Sequence, residues 1–340
     1  MTPARFAELT ARFREKRVAV VGDVSLDRYL EIDPAHAETS LETGLPVHNI
    51  ARVRHSPGAA GNIIQNLGAL GAREIFPVGF CGDDGEGFEL LRALRLVPGA
   101  NLENFVQTPD RATFTYTKPL LGEPGRAPRE LSRFDQKNWS PTPPDVETSL
   151  CFALRELAPS LDALVGMDQC SVPGCGVITP AVLATIAALS KQFPRLVILA
   201  DSRRGLGGFP PLAFKMNAAE FATLTGNRAG IVLEEIKSGA ERLARTSGRA
   251  VFVTLAERGM VGAAPGAPAE HAPALPVRGP IDIVGAGDAV TAALTLTLAA
   301  SATLAEAMQL AQAAASVVIH QLGTTGTASP AQLQRLVCES

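Results

Sequence analysis

From about residue 145 onward, predicted helices and short apolar strands alternate along the chain, and this alternation limits the possible folds more than any other feature. Strands that alternate with helices imply a mainly parallel, doubly wound α/β sheet with helices on both faces. The predicted helices are 145–157, 180–192, 217–225, 232–246, 287–300, 304–321 and 330–337, and the predicted strands are 161–166, 196–200 and 250–254.

The first part of the chain follows the same rhythm with interruptions. Two extended regions, 28–53 and 111–135, separate its helices and strands, and from the residues alone they indicate two surface hairpins. Residues 122–128 are rich in Gly and Pro and predict a hairpin-type loop. The remaining predicted elements are an amphipathic N-terminal helix, strand 18–22, helix 61–69, strand 74–79 and helix 85–95.

Composition excludes several classes of protein. The 340 residues are 46% hydrophobic, which is ample for a large core of one large or two ordinary domains. The net charge of −3 gives no overall positive field, so a nucleic-acid partner is not expected. No uninterrupted apolar run reaches about 18 residues, so no membrane span is expected. The charged N-terminus does not resemble a signal peptide, and five scattered cysteines suit a reducing cytoplasm.

A glycine-rich turn is the strongest local indication of chemistry. Gly285-Ala286-Gly287-Asp288 runs directly into an apolar helix. Such a turn leaves backbone N–H groups unpaired at the positive end of the helix dipole, which makes an anion site. Asp288 beside it can accept a proton from an attacking hydroxyl, and this combination suits phosphoryl transfer. The alternative is a capped helix start that binds no ligand.

Other polar residues follow predicted strands. Asn217 and Glu220 open a helix, where they form either an N-cap with a first-turn acid or a site for phosphate and metal. Lys215 either reaches a nucleotide phosphate or is solvated. Asp27 follows the first strand, where open α/β sheets bind ligands, and its carboxylate can accept two sugar hydroxyls or cap a turn.

Three motifs together resemble those of the PfkB (ribokinase-like) sugar kinases, in the family's order and over nearly the whole chain. The run 282–289 resembles the second signature of that family, and Gly58-Ala59-Ala60-Gly61-Asn62 resembles the first. Asn217-Ala218-Ala219-Glu220 resembles its Asn-x-x-Glu motif. The resemblance implies one ribokinase-like domain over 1–340, with a small β-sheet lid formed by about 28–53 and 111–135. It also implies a homodimer that forms through this lid.

The resemblance further implies an ATP-dependent kinase that uses Mg²⁺. Asp288 would be the base, and the N–H groups of Gly285, Ala286 and Gly287 would hold the developing charge. A potassium ion near the anion hole would be held by Asp282, although Ile283 and Val284 replace the threonine that is common there. The implied ligands are Asp27, Gly58 and Asn62 for the sugar, Lys215, Asn217, Thr254 and Gly259 for the nucleotide, and Glu220 for Mg²⁺.

Finer detail resembles the heptose-7-phosphate kinases of lipopolysaccharide precursor synthesis. The matching stretches are 22–29, 40–47, 132–135 and 322–330. The resemblance implies transfer of phosphate from ATP to the anomeric hydroxyl of a heptose 7-phosphate. The nucleotidyltransferase fused to the larger members is not expected here, because the chain ends after the kinase core.

Two departures bear on the sugar. Residues 115–120 match the subgroup's Thr-x-Thr-Lys-x-Arg pattern, except that Leu120 replaces the arginine. Lys118, Arg129 and Arg133 would therefore have to bind the sugar phosphate. Asp168 is followed by an unusual segment. In addition, the second glycine of the first signature is Ala59, whereas Gly61 stands where alanine is usual.

Three other functions remain possible from the sequence. One is another sugar or nucleoside kinase, of the fructose, ribose or 2-keto-3-deoxygluconate type, and another is a non-catalytic sugar- or nucleotide-binding paralogue. A dinucleotide-dependent oxidoreductase ranks far below both. No Gly-x-Gly-x-x-Gly follows the first strand, as that function would require.

Overall fold

The protein is described by a computed structural model that covers residues 1–122, 128–226 and 232–338. Most of the predicted hairpin loop at 122–128 therefore lies outside the described residues. In the described part, no helix is long and apolar enough to cross a membrane.

Strands in the described ranges form one large sheet, one small sheet and a two-stranded hairpin. In chain order they are β1 Arg17–Gly22, β2 Val24–Ile32, β3 Glu38–Thr39, β4 Pro46–Val47, β5 Ile50–Ala59, β6 Glu74–Gly82, β7 Phe105–Thr108, β8 Thr115–Leu121, β9 Arg129–Glu130, β10 Phe134–Gln136, β11 Ala163–Asp168, β12 Val197–Ser202, β13 Ala213–Asn217, β14 Val251–Thr254, β15 Met260–Ala263 and β16 Glu270–Ala272.

The α-helices pack on the two faces of the large sheet or connect its strands. They are α1 Pro3–Phe13, α2 Ala60–Leu70, α3 Gly85–Leu94, α4 Pro144–Leu157, α5 Pro180–Gln192, α6 Ala218–Thr225, α7 Leu233–Ser247, α8 Ala286–Ala299, α9 Leu304–Ile319 and α10 Pro330–Cys338.

The large sheet is doubly wound, as the alternation of elements predicts. Its nine strands lie in the order β16-β15-β14-β13-β12-β11-β1-β6-β7. From β14 to β7 all neighbours are parallel, whereas β15 and β16 add an antiparallel edge. The strand order reverses at β1, because β6 lies on one side of it and β11 on the other. In open α/β sheets, ligands bind beyond the carboxyl ends of the strands at such a point.

The core has two layers because successive side chains of a buried strand point to opposite faces of the sheet. In β1, Val18 and Val20 pack into one apolar cluster and Ala19 and Val21 into the other. The first cluster contains apolar side chains of α1, α2, α8, α9 and α10, and the second contains those of α4, α5, α6 and α7. This two-sided burial holds the strand ends that carry the polar residues described below.

The small sheet begins where β1 ends, because only Asp23 separates β1 from β2. β2 pairs antiparallel with β5 and parallel with β8, and β8 pairs antiparallel with β9 and β10. The last residue of β5 leads directly into α2. The two extended regions of the sequence therefore pair with one another, rather than forming the separate hairpins that the residues alone indicate. The strands also extend beyond the predicted ranges 28–53 and 111–135: β2 begins before residue 28, β5 ends after residue 53, and β10 ends after residue 135.

Short strands are the elements that the sequence does not reveal. β7, β15 and β16 have three or four residues each, and β15 reads Met-Val-Gly-Ala, which is too short to show a strand period. β7 and β16 form the two edges of the sheet and β15 lies between β16 and β14, so that pairing with an existing strand supplies what local preference lacks.

Candidate active site

The polar residues singled out in the sequence converge at the carboxyl ends of the central strands. Lys215 and Asn217 lie at the end of β13, and Asp201 lies near the end of the neighbouring β12. Asp288 lies in the first turn of α8, and Asn62 lies in the first turn of α2. Four of these five residues belong to the predicted set, and the sheet topology brings them together.

The glycine turn has the geometry of an anion site, with one change from the prediction. Gly285 caps α8 with φ 83°, a conformation that favours glycine. The N–H of Ala286 donates to the Ile283 carbonyl at 3.2 Å, so it is already used within the turn. The N–H groups of Gly285, Gly287 and Asp288 have no acceptor in the part of the chain that the structure describes. These three groups, rather than that of Ala286, are available to an anion.

Asp288 lies beside this turn and is partly exposed. Asn62 Nδ2 donates to its Oδ2 at 2.8 Å. Burial raises the pKa of Asp288 to about 6, although the Asn62 hydrogen bond and the Lys215 charge oppose this change. A carboxylate with this pKa is ionised at neutral pH and yet basic enough to take a proton, which is the balance required of a general base.

Lys215 lies directly against the turn. A Cβ atom on Gly287 would lie 3.1 Å from Lys215 Nζ. The ammonium group donates to Asp201 Oδ2 at 2.7 Å, and Thr291 Oγ1 of α8 donates to the same oxygen at 3.0 Å. Burial lowers the pKa of Lys215, but the attraction and hydrogen bond of Asp201 outweigh it and hold the pKa above its usual value. Lys215 is therefore a buried cation beside the anion site rather than a solvated lysine.

Asn217 and Glu220 form a complete capping box at the start of α6. Asn217 Oδ1 accepts the N–H groups of Ala219 and Glu220 at 2.9 Å each, and Glu220 Oε2 accepts the N–H of Asn217 at 2.7 Å. This confirms the capping role. Burial raises the pKa of Glu220, and its Oε1 has no partner among the described residues. That oxygen is still able to bind a metal-bound water.

Thr254 and Gly259, the other predicted nucleotide ligands, each stabilise the local structure. Thr254 Oγ1 donates to the Met216 carbonyl at 3.4 Å across β13 and β14. Gly259 has φ 91°, and a Cβ on it would collide with the Ala272 carbonyl oxygen. Only glycine therefore fits at the turn that starts β15. A nucleotide role for either residue stays a prediction.

Asp282, the predicted potassium ligand, is tied into the segment before α8. Its N–H donates to the Ile319 carbonyl at 2.8 Å, and its Oδ1 accepts the N–H of Val284 at 3.0 Å. Within 1–122, 128–226 and 232–338, no group of three His, Cys, Asp or Glu side chains is placed to hold a metal ion. Mg²⁺ commonly uses one or two protein carboxylates together with phosphates and waters, so Glu220 alone fits that cation.

The sugar-side residues lie where the small sheet meets the large one. Asp27 is buried in β2, and Lys118 Nζ of β8 donates to its Oδ2 at 2.8 Å. A Cβ on Gly58 would lie 2.5 Å from Asp27 Oδ1, so glycine is required for the carboxylate to sit there. Asn62 Oδ1 and Ser25 Oγ are buried atoms without a partner in the described structure. Two unsatisfied polar atoms beside Asp27 and Asp288 suit a ligand rich in hydroxyls.

The displaced glycine of the first signature has a structural consequence. Ala59 has φ 54° and ψ −122°, a conformation usually taken by glycine. Gly61 is needed for another reason, because a Cβ on it would lie 2.6 Å from Pro57 Cβ. The alanine at position 59 is therefore strained beside the site, and the glycine at position 61 permits close packing of α2 on β5.

The cations predicted to bind a sugar phosphate are largely paired with carboxylates. Lys118 pairs with Asp27, and Arg133 forms a bidentate pair with Asp135 at 2.6 and 2.9 Å while lying over the Tyr116 ring. Arg129 lies on the exposed strand β9. Lys118 and Arg133 would therefore have to exchange a partner to bind phosphate.

Sequence reasoning did not assign roles to Asp201, Tyr29 or Thr325. Asp201 holds both Lys215 and α8, and its position at the end of an apolar strand could have revealed it. Tyr29 and Thr325 are 296 residues apart, yet their hydroxyl oxygens are 3.3 Å apart. No local pattern predicts such a contact.

Comparison with known proteins agrees with this geometry. Residues 211–332 match the model of the pfkB family of carbohydrate kinases. The bifunctional protein HldE of Bradyrhizobium sp. (strain ORS 278) is 30% identical over 333 residues, which are 98% of this chain and 65% of that protein. HldE of Gluconobacter oxydans (strain 621H) is 31% identical over 95% of this chain and 64% of its own length. The chain thus spans slightly less than two thirds of these curated relatives.

Solved structures show the same fold. Phosphofructokinase-2 from Escherichia coli, in complex with substrates and products, superposes with a TM-score of 0.72 at 20% identity, covering 95% of this chain and 98% of that one. Ribokinase from Arabidopsis thaliana, complexed with ribose and ATP, gives 0.69 at 18% identity with the same coverage. The chain thus has a ribokinase-like α/β fold, and its residues 211–332 match the pfkB family of carbohydrate kinases.

Proposed function

We propose that the protein is an ATP-dependent sugar kinase that transfers the γ-phosphate of ATP to a sugar hydroxyl. The observation that carries this proposal is Asp288. It is a carboxylate with a pKa raised to about 6, beside a helix N-terminus at which three N–H groups have no acceptor among the described residues. A base next to an anion site is the minimum that direct phosphoryl transfer requires.

Each residue has a defined task in this reaction. The attacking hydroxyl gives its proton to Asp288 as its oxygen bonds to the γ-phosphorus, and the bond to ADP breaks. Asn62 keeps Asp288 Oδ2 occupied, so that Oδ1 faces the substrate. Lys215 and the N–H groups of Gly285 and Gly287 balance the negative charge that develops on the phosphoryl oxygens.

Two cations belong to the proposal. Mg²⁺ would be held through water by Glu220 and would neutralise charge on the ATP phosphates. A potassium ion would lie near Asp282, where the exposed apolar side chains of Ile283 and Val284 supply no ligand and backbone carbonyls would have to do so. Asn217, Thr254 and Gly259 would then border the nucleotide.

The proposed acceptor is a heptose 7-phosphate, phosphorylated at its anomeric hydroxyl. Support comes from the resemblance of several segments to the heptose-7-phosphate kinases. In this reading Asp27 and Asn62 bind the sugar hydroxyls, and Lys118, Arg129 and Arg133 bind the 7-phosphate.

A second acceptor class is favoured by a specific observation. Lys118 and Arg133 each already have a carboxylate partner, at 2.8 Å and 2.6 Å respectively. A site whose cations are neutralised in this way suits a sugar without a phosphate group. The second candidate is therefore a kinase for a plain sugar such as fructose, ribose or 2-keto-3-deoxygluconate.

The proposal extends to the whole chain. Residues 1–340 would act as one kinase domain in the cytoplasm, with the small sheet as a lid over the sugar. The lid would also form the contact of a homodimer. Support for the lid is the position of Asp27 and Lys118 on its strands β2 and β8.

An ADP-release screen with Mg-ATP tests the proposal. The panel contains heptose 7-phosphate, fructose, ribose and 2-keto-3-deoxygluconate, each with and without phosphate. Turnover of heptose 7-phosphate supports the first acceptor, and turnover of a plain sugar supports the second. ATP binding without turnover of any sugar would contradict the kinase and favour a non-catalytic binding protein.

A further inference from the structure

We propose that Thr325 is a positioning residue that fixes the sugar-binding carboxylate Asp27 relative to the glycine turn of α8. The inference rests on the proposed kinase function and concerns a residue to which that proposal assigns no role. Thr325 is 6% exposed and belongs to the loop between α9 and α10. Two different atoms of its side chain contact the two halves of the site.

The hydroxyl of Thr325 contacts the sugar side. Thr325 Oγ1 lies 3.3 Å from Tyr29 Oη, and Tyr29 Oη lies 3.5 Å from both Asp27 Oδ2 and Lys118 Nζ. A carboxylate only accepts and an ammonium only donates, so of these two groups only Asp27 can accept the single Tyr29 proton. With that proton directed to Asp27, the Thr325 hydroxyl donates to Tyr29. The result is a directed chain of hydrogen bonds from Thr325 through Tyr29 to Asp27.

The methyl group of Thr325 contacts the phosphate side. A Cβ built on Gly285 would lie only 2.6 Å from Thr325 Cγ2, so this methyl packs directly against the glycine that opens α8. Gly285 has φ 83° and begins the turn whose N–H groups are unpaired. The methyl therefore limits how far the turn can move.

The loop that carries Thr325 is itself held in place. Asn66 Nδ2 of α2 donates to the Gly326 carbonyl at 3.4 Å, and Asn66 Oδ1 accepts the N–H of Ala328 at 3.3 Å. Gln321 bonds to Thr327 through both its amide atoms, at 2.8 and 3.1 Å. A loop fixed on both sides of Thr325 cannot easily shift to replace a lost contact.

Because the two contacts use different atoms, two substitutions separate them. Thr325→Val keeps a methyl group and removes the hydroxyl, which frees Tyr29 and Asp27. Thr325→Ser keeps the hydroxyl and removes the methyl, which frees Gly285. A residue with a merely structural role would give both variants the same kinetic change, whereas a positioning residue divides the change between the two substrates.

The test is steady-state kinetics on both variants with the sugar that the wild-type protein accepts. We expect Thr325→Val to raise KM for the sugar about fivefold, the effect of one neutral hydrogen bond, without change in KM for ATP. We expect Thr325→Ser to lower kcat and raise KM for ATP about threefold, as for loss of one packed methyl, without change in KM for the sugar. The same change in both variants, or no change in either, would overturn the inference.

Thr324→Val is the matched control. Thr324 is the neighbour of Thr325, and its hydroxyl makes no hydrogen bond within the described residues. This variant should behave as the wild type.

A second measurement needs no turnover: thermal unfolding of Thr325→Val, Tyr29→Phe and the double variant. The two Tm shifts should be less than additive, since either change alone removes the hydroxyl contact. Additive shifts would overturn the inference whether or not the protein is a kinase.

The outcomes distinguish the two proposals. If the wild-type protein turns over no sugar, the proposed function fails, while the unfolding cycle still decides whether Thr325 and Tyr29 are coupled. If the wild type is active and the kinetic changes are not divided as expected, Thr325 does not position the site and the proposed function stands.

Discussion

Asp288 and Asp23 show how similar environments give two carboxylates different roles. Burial raises the pKa of each to about 6. Asp23 accepts three backbone N–H groups, from Gln169, Cys170 and Val177, at 2.7 to 2.9 Å, and so it ties a loop to the end of β1. Asp288 accepts one hydrogen bond, from Asn62, and keeps an oxygen for a ligand. A buried carboxylate with spare capacity costs stability and is typical of functional sites.

The first prediction concerns the stability of Asp288→Asn as a function of pH. The pKa of about 6 in the folded state lies above the unfolded value of roughly 3.9. Between roughly pH 3.9 and pH 6, the folded protein binds a proton that the unfolded protein does not. The stability that this proton confers is lost as the pH rises through about 6. Asp288→Asn should gain up to about 3 kcal/mol in unfolding free energy at neutral pH and nothing below about pH 4.

Urea unfolding of the parent and the variant at both pH values measures this difference. Asp23→Asn is the control and should lose stability at both pH values, because an amide replaces one of the oxygens that accept backbone N–H groups. A gain by Asp288→Asn of equal size at both pH values would show that its charge is not the cause.

The backbone strain at Ala59 can be relieved by substitution. With φ 54° and ψ −122°, alanine here is strained, so Ala59→Gly should raise the unfolding free energy by about 1 kcal/mol. Ala60→Gly, one residue later at the start of α2, should lower it by about 0.5–1 kcal/mol. Chemical denaturation measures both. If the two variants lose stability alike, Ala59 is not strained.

At the scale of elements, the capping box of α6 combines a structural and a proposed functional role. Glu220→Gln separates them, because glutamine can still accept the N–H of Asn217. We expect unfolding free energy within about 0.5 kcal/mol of the parent. Because the charge is lost, the Mg²⁺ concentration for half-maximal turnover should rise about tenfold.

The start of α9 provides a control for this experiment. Thr303 and Glu306 form the same capping box at a different helix start, with Glu306 Oε2 accepting the N–H of Thr303 at 2.8 Å. Glu306→Gln also weakens the ion pair with Arg5, so it should reduce stability without affecting the Mg²⁺ requirement. An unchanged Mg²⁺ requirement in Glu220→Gln would leave Glu220 as a cap only.

The longer a helix or strand is, the more closely the sequence predicts it. Helices such as Pro180–Gln192 and Leu304–Ile319 agree closely with their predicted ranges, because several turns of apolar periodicity define them. β15 and β16 form only as an antiparallel edge on β14 and have no such period. Most ligating side chains proposed from motifs converge, since a motif fixes a strand end or a helix start. Thr325 and Asp201 act through tertiary contacts, which no local pattern contains.

At the scale of the whole molecule, the small sheet leaves apolar side chains uncovered. Ile50 and Val53 on the edge strand β5 are 47% and 41% exposed, and Phe134 on the opposite edge strand β10 is 62% exposed. An open strand edge with apolar side chains is a ready surface for a second copy. This supports the proposed homodimer.

Light scattering of two variants tests the dimer. Val53→Glu should shift the mass from dimer to monomer, because it places a buried charge in the contact. Phe152→Glu, at a site 62% exposed on α4 and away from the small sheet, should leave the mass unchanged. A monomeric mass for the parent at working concentration would contradict the proposal.

The proposed role of Asp288 as the base of an ATP-dependent sugar kinase is tested by the turnover of Asp288→Asn, measured as ADP release with Mg-ATP and the accepted sugar. We expect a fall of about 10²–10⁴ in kcat with normal folding. We also expect kcat/KM of the parent to fall with decreasing pH near pH 6, as Asp288 becomes protonated. A folded Asp288→Asn variant that keeps near-parental turnover would contradict this role.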